Sequence, residues 1–307
     1  MTKLYKEYRM SELIKSEIEK YGLSIRPNSF LDIFLRTSEK SNEMDLPVYI
    51  FNRSLVKEVI ECASTNEYDK INYSQLLGCI DKYGSELPIS IKDHIRLGIL
   101  ITLHRIPSER RLSLDKIIES RTEQVPTGYL SRQPLAVTII EDDDLDKSRA
   151  LLPTVIHELI HSMELNGLYV EPRVETQIDI YDIIDNYIRP HNPFYSIYRG
   201  RELSKRETIT ELAMIRTLED ADIGYVSLNR KVLIRIKLHR IGKIKNEMGI
   251  QYIIRESHLL SYLAAYDMHE LARTDKNMKE ILKIINEIID EELKLYIERE
   301  LKKISSK

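Results

Sequence analysis

Tryptophan is absent from the 307-residue chain and only two cysteines occur. Cys62 and Cys79 do not form a C-x-x-C pair, so neither a disulfide framework nor an all-cysteine zinc site is expected, and both read as free, buried thiols. Long apolar runs are missing too. A membrane span needs about 18 uninterrupted apolar residues, and the most apolar stretch, 97–103, is far shorter. The N-terminal MTKLYKEYRMSELIKSEIEKYG has charges every few residues and no apolar signal core, so a cytoplasmic protein without membrane contact is expected. Charge of one sign is also lacking. A net charge of −3 supplies no general attraction for nucleic acid or anionic lipid. Glutamine is scarce while isoleucine, lysine and glutamate abound, a bias resembling that of hot-growing organisms.

There is no internal repeat and no low-complexity linker. Residues 1–125 read as a mostly helical N-terminal region. Leu4, Met10, Leu13, Ile14 and Ile18 fall at helical spacing, 55–63 and 68–83 continue the pattern, and Gly84 marks a stop. Residues 46–51 (LPVYIF) read as a strand. Pro, Gly and Ser cluster as a loop at 126–134. A buried strand at 135–140 (LAVTII) follows, and then the acidic run 141–146, read as a solvated loop. Pro153 suits a first helical turn and Asn166-Gly167 a left-handed stop, which bounds a helix over 153–165. Helices are also expected at 174–188 and 201–218, with the loop HNPFYSIYRG between them. A long amphipathic helix spans 277–303, marked by Ile281, Ile284, Ile285, Ile288, Leu293, Tyr296 and Leu301. The expected spans are thus 1–125, 126–270 and a C-terminal helix, 271–307, that packs on the domain; self-association through that helix is the alternative.

The chemistry is concentrated in His157-Glu158-Leu159-Ile160-His161. Side chains four apart on a helix share a face, so both imidazoles can reach one Zn²⁺ at about 2.0–2.1 Å. Glu158 lies beside the metal without binding it, placed to take a proton from a zinc-activated water and hand it to a leaving amine. Eight His and 31 Glu would produce H-E-x-x-H by chance in about one such sequence in fifty. The flanks strengthen the motif: no Pro or Gly interrupts it, and Thr154, Val155 and Met163 are uncharged.

The pattern T-V-x-H-E-L-I-H-S-M resembles the zincin metallopeptidases, closely over about ten residues and loosely over 126–264. The resemblance implies an α+β, predominantly helical chain whose zincin-like domain pairs a small mixed sheet with the metal helix. It also implies a zinc endopeptidase acting on an intracellular protein or peptide. The metzincin branch continues with Gly and His where this chain has Glu164 and Gly167, so the gluzincin branch, that of thermolysin and the anthrax lethal factor catalytic domain, is the better match. Its E-x-x-x-E or E-x-x-x-D pair matches Glu207 and Glu211. Carried over, Glu207 is the third zinc ligand and Glu211 supports a ligand histidine; one helical turn of ambiguity keeps Glu211 open as the ligand, and Glu175 and Glu202 are further alternatives. The oxyanion donor of that branch is carried to Tyr198, near Tyr195 and His191, with His239, His258 and His269 as alternatives. The strand 135–140 takes the place of the family's substrate-pairing edge strand.

The one strongly basic stretch, 230–245, lacks the interleaved aromatics of a nucleic-acid surface and reads as a solvated face. A competing function is a regulatory partner-binding module on a zincin fold. Retention of Glu158 favours the enzyme, since a binding module needs no base between its histidines.

Overall fold

The computed structural model describes residues 5–39, 45–52, 58–59, 62, 73–85, 92, 128–132, 135–141, 148–163, 180–188, 190, 205–248 and 257–306. In chain order these form β1 (Tyr5–Arg9), α1 (Met10–Lys20), α2 (Phe30–Ser38), β2 (Pro47–Asn52), α3 (Tyr73–Gly84), β3 (Gly128–Arg132), β4 (Leu135–Glu141), α4 (Leu151–Ser162), α5 (Lys205–Asp220), α6 (Ser227–Met248), α7 (Ser257–Leu271) and α8 (Lys276–Ser305). A short turn of helix, Ile180–Ile183, runs into a π-helical turn, Ile184–Ile188. The chain is α+β and predominantly helical. None of the described helices is long and apolar enough to cross a membrane.

Two compact units are present. The first comprises Met1–Met10 and Leu46–Lys147, the second Ser11–Asp45 and Ser148–Lys307. The division therefore runs across the expected spans: residues 11–45 join the unit of the H-E-x-x-H helix, and 126–147 join the unit of the sheet.

The first unit holds a four-stranded sheet in the order β1-β2-β4-β3. β2 and β4 are parallel, with Val48 opposite Val137 and Ile50 opposite Ile139, while β1 and β3 run antiparallel to their neighbours. Four sequence expectations change here, the first being the loop read at 126–134, within which Gly128–Arg132 form β3 by pairing with β4. Residues 5–9 are a strand rather than the start of a helix, because Tyr5 to Arg9 pair with β2 and that ladder overrides the local helical spacing. β4 is hydrogen-bonded on both sides, so it is not an edge strand open to a substrate backbone; among the described residues β1 and β3 are the edges. Cys62 and Cys79 are not free thiols but a disulfide. Their Cα atoms stand 6.0 Å apart, within bridging range although the residues are 17 apart in sequence.

The second unit is helical. Asp45 caps α1, its carboxylate accepting from the Ser11 backbone N–H at 2.8 Å and from the Ser11 hydroxyl at 2.7 Å. α4 starts at Leu151, so Pro153 lies in its first turn, where a missing N–H costs no helical bond. Leu152 to His161 are buried without exception, so this is a core helix rather than a surface one. α5 packs on α4, α7, α8 and α2, bringing Leu212, Ala213 and Met214 into the core with Val155, Ile156, Leu159 and Leu263. α8 begins on Asp275, whose side chain accepts from Met278 N–H at 2.8 Å. It lays Met278, Leu282, Ile285, Ile289, Leu293, Tyr296 and Ile297 against α2, α5 and α7. The C-terminal helix is thus a core element of its own unit.

α6 departs from the expected solvated basic face. Leu228 and Val232 are each 50% exposed, whereas Arg230 is 4% exposed and Lys231 5%. Arg230 and Lys231 turn inward because carboxylates await them, Glu211 facing Arg230 and Glu270 pairing with Lys231, whereas Arg235 stays exposed.

Candidate metal centre

The packing of α4 against α5 brings three donors to one point. His157 Nε2 and His161 Nε2 are 3.0 Å apart, and Glu207 Oε2 lies 3.1 Å from the second and 3.4 Å from the first. Ligands of a tetrahedral Zn²⁺ held at about 2.0–2.1 Å stand roughly 3.3 Å from one another by geometry. The triangle matches that spacing on all three sides, and its two-imidazole, one-carboxylate donor set is one zinc accepts. Helical spacing accounts for two corners and the α4–α5 contact for the third.

Around the triangle stands a second set of partners. Glu211, one turn beyond Glu207 on α5, places Oε2 2.7 Å from His157 Nδ1. Thr210 Oγ1 lies 3.4 Å from His161 Nδ1. Glu211 is fully buried. Burial works to raise its pKa, but Arg230 and His157 outweigh it and hold the carboxylate below its ordinary value. Arg230 Nε lies 3.0 Å from each Glu211 oxygen, and its Nη1 donates to Thr154 Oγ1 at 2.8 Å.

Glu158 follows the first ligand on α4 and is buried. Burial pushes its pKa up to about 7; His161 and Arg230 pull it down, while Glu207 and Glu211 add to the rise. A carboxylate near neutrality can both accept and return a proton at physiological pH. Tyr262 on α7 stands edge-on to His157, ring centroids 4.9 Å apart, with the Arg230 guanidinium 4.8 Å from its ring centre. Burial lifts the phenol well above its usual value, and Glu207, Glu158 and Glu211 add to that. It therefore stays protonated, a donor.

The structure brings together His157, Glu158, His161, Glu207 and Glu211 of the residues singled out in the sequence. Tyr198, Tyr195, His191, Glu175 and Glu202 lie outside the described residues, as do the side chains of His239 and His258. His269 does not belong to the site. It faces Glu219 at 3.7 Å, twelve residues along α5 from Glu207, or about 18 Å at the helical rise. No motif in the sequence marks Tyr262 or Arg230. Tyr262 sits in a helix without a motif, and Arg230 is one of several cations in a run whose inward face only tertiary packing reveals. No family model, curated protein or solved structure matches the chain.

Proposed function

We propose that the chain is a zinc-dependent endopeptidase of the zincin type, with His157, His161 and Glu207 as ligands and Glu158 as general base. The observation that carries this is the 3.0, 3.1 and 3.4 Å donor triangle with a buried, non-ligating carboxylate next to it in sequence. Bound there, zinc would polarise the scissile carbonyl and acidify water. The protein's own groups do the rest. Glu158 accepts the proton of the attacking water and returns it to the leaving amine. Glu211, 2.7 Å from His157 Nδ1, favours the proton on that nitrogen and so keeps the Nε2 lone pair for the metal. Tyr262, protonated and close to the ligands, is a candidate donor to the oxygen that becomes negative as the carbonyl is attacked, beside Tyr198, which the family resemblance suggests.

The substrate class is a protein or peptide, and the setting we infer is cytoplasmic. A disulfide fits that compartment in the intracellular proteins of hyperthermophiles, in keeping with the lysine- and glutamate-rich composition. A buried carboxylate at Glu158, next to the first histidine, favours catalysis over a partner-binding module. The test is cleavage of a mixed peptide library by protein purified without chelator. Cleavage abolished by a zinc chelator and restored by zinc supports the reading; no cleavage by zinc-loaded, folded protein contradicts it.

A further inference from the structure

The basic run on α6 contains a residue that the catalytic reading does not use. We propose that Arg230 is a positioning residue of the metal centre, acting through Glu211 to hold His157 with Nε2 toward the metal. The inference rests on the metal-centre reading above and adds to it a control from a fourth helix.

The geometry is specific. One guanidinium, 4% exposed, reaches three helices. Its Nε lies 3.0 Å from both oxygens of Glu211 on α5. Its Nη1 donates at 2.8 Å to Thr154 on α4, one turn before His157. Its plane covers the Tyr262 ring on α7 at 4.8 Å. Each contact therefore meets a residue adjoining His157, and none meets the ligand itself.

The chemistry explains the arrangement. Terminal carboxylate torsions are broad and nearly two-fold, so a buried glutamate with a single partner can swing. Holding both Glu211 oxygens on the one Nε–H keeps Oε2 within 2.7 Å of His157 Nδ1. The acceptor there selects the Nδ1–H tautomer and sets the imidazole plane. A buried ion pair by itself gives little net stability, because desolvation offsets the attraction. An arginine kept inside α6 while Leu228 and Val232 face outward therefore calls for a reason other than stability. A lysine could supply the charge but not the planar fork that meets Glu211 and Thr154 together.

The test uses the full chain and four proteins: wild type, Arg230→Lys, Glu211→Gln, and the double variant Arg230→Met/Glu211→Gln. Arg230→Lys keeps a cation against Glu211, and the double variant removes both charges, so neither leaves a lone buried ion. Zinc affinity is read by competition with a chromogenic chelator, and ligand geometry by the visible spectrum of the Co²⁺-loaded protein. Circular dichroism of the metal-free proteins reports folding. We expect Glu211→Gln to bind zinc about 10–100-fold more weakly. Arg230→Lys should lose a substantial part of that factor, with an altered Co²⁺ spectrum. The double variant should bind no more than about twofold more weakly than Glu211→Gln, because both residues act along one line. Folded Arg230→Lys with wild-type affinity and an unchanged Co²⁺ spectrum would overturn the proposal. So would losses that multiply in the double variant. If wild type binds neither zinc nor Co²⁺, the metal-centre reading itself falls, an outcome distinct from both.

Discussion

Glu211 Oε2 lies 2.7 Å from Nδ1 of His157, while Glu207, one turn earlier on the same helix, points its Oε2 at the Nε2 atoms of both histidines. Two glutamates four residues apart thus address opposite sides of one imidazole, and they should fail differently. Glu207→Gln removes a donor and should lose zinc and activity together. Glu211→Gln removes an orienting acceptor and should cost about 10–100-fold while some metal stays bound. Zinc titration of the two variants side by side checks this, and the reverse order of loss would exchange their roles.

Glu158→Gln keeps size and packing but removes the proton acceptor. Turnover should fall by at least about 10²–10⁴-fold with zinc content unchanged. A second signature needs no substrate. The metal-free folded protein holds Glu158 at about 7 against 4.5 in the open chain, so it binds the extra proton between those values. Stability from this group is therefore lost as pH rises from 4.5 to 7, by up to roughly 3 kcal/mol. Metal-free Glu158→Gln should consequently melt higher than metal-free wild type at pH 8 and much like it at pH 4.

Tyr262→Phe retains the ring against His157 and deletes the hydroxyl. Zinc affinity should be unchanged while kcat falls about 10²–10³-fold, the usual loss of one oxyanion donor. Normal turnover in this variant would move the donor role to another residue.

Far from the site, burial holds His269 at about 4 against its ordinary 6.5, helped by Arg273, Arg216 and Lys231. The unfolded chain therefore binds the extra proton between those values, and the contribution to stability, roughly 3 kcal/mol, is lost as pH falls from 6.5 to 4. Substitution of His269 by Gln should flatten that limb in chemical denaturation of the metal-free protein, with zinc affinity at neutral pH untouched. An unchanged acid limb would show that another group sets it.

What the sequence made legible follows its range of interaction. His157, Glu158 and His161 needed only helical spacing, and Glu207 and Glu211 needed the same spacing plus a family resemblance to choose that helix. The long α8 was readable because its apolar stripe recurs over many turns. Contacts set by tertiary pairing were not readable. Tyr5 to Arg9 have helical spacing but lie beside β2, and residues 135–140 look the same as an edge strand or an inner one. Arg230 is indistinguishable from its solvated neighbours until α5 supplies Glu211. The Cys62–Cys79 bridge likewise depends on two segments meeting.

The central claim is that His157, His161 and Glu207 hold one zinc ion, and it meets its most direct test in anomalous scattering. Crystals of protein purified without chelator would be measured on both sides of the zinc absorption edge. A single strong peak per chain is expected about 2.0–2.2 Å from His157 Nε2, His161 Nε2 and a Glu207 oxygen. A peak elsewhere, or a well-ordered triangle without zinc in crystals grown with excess zinc, would contradict it.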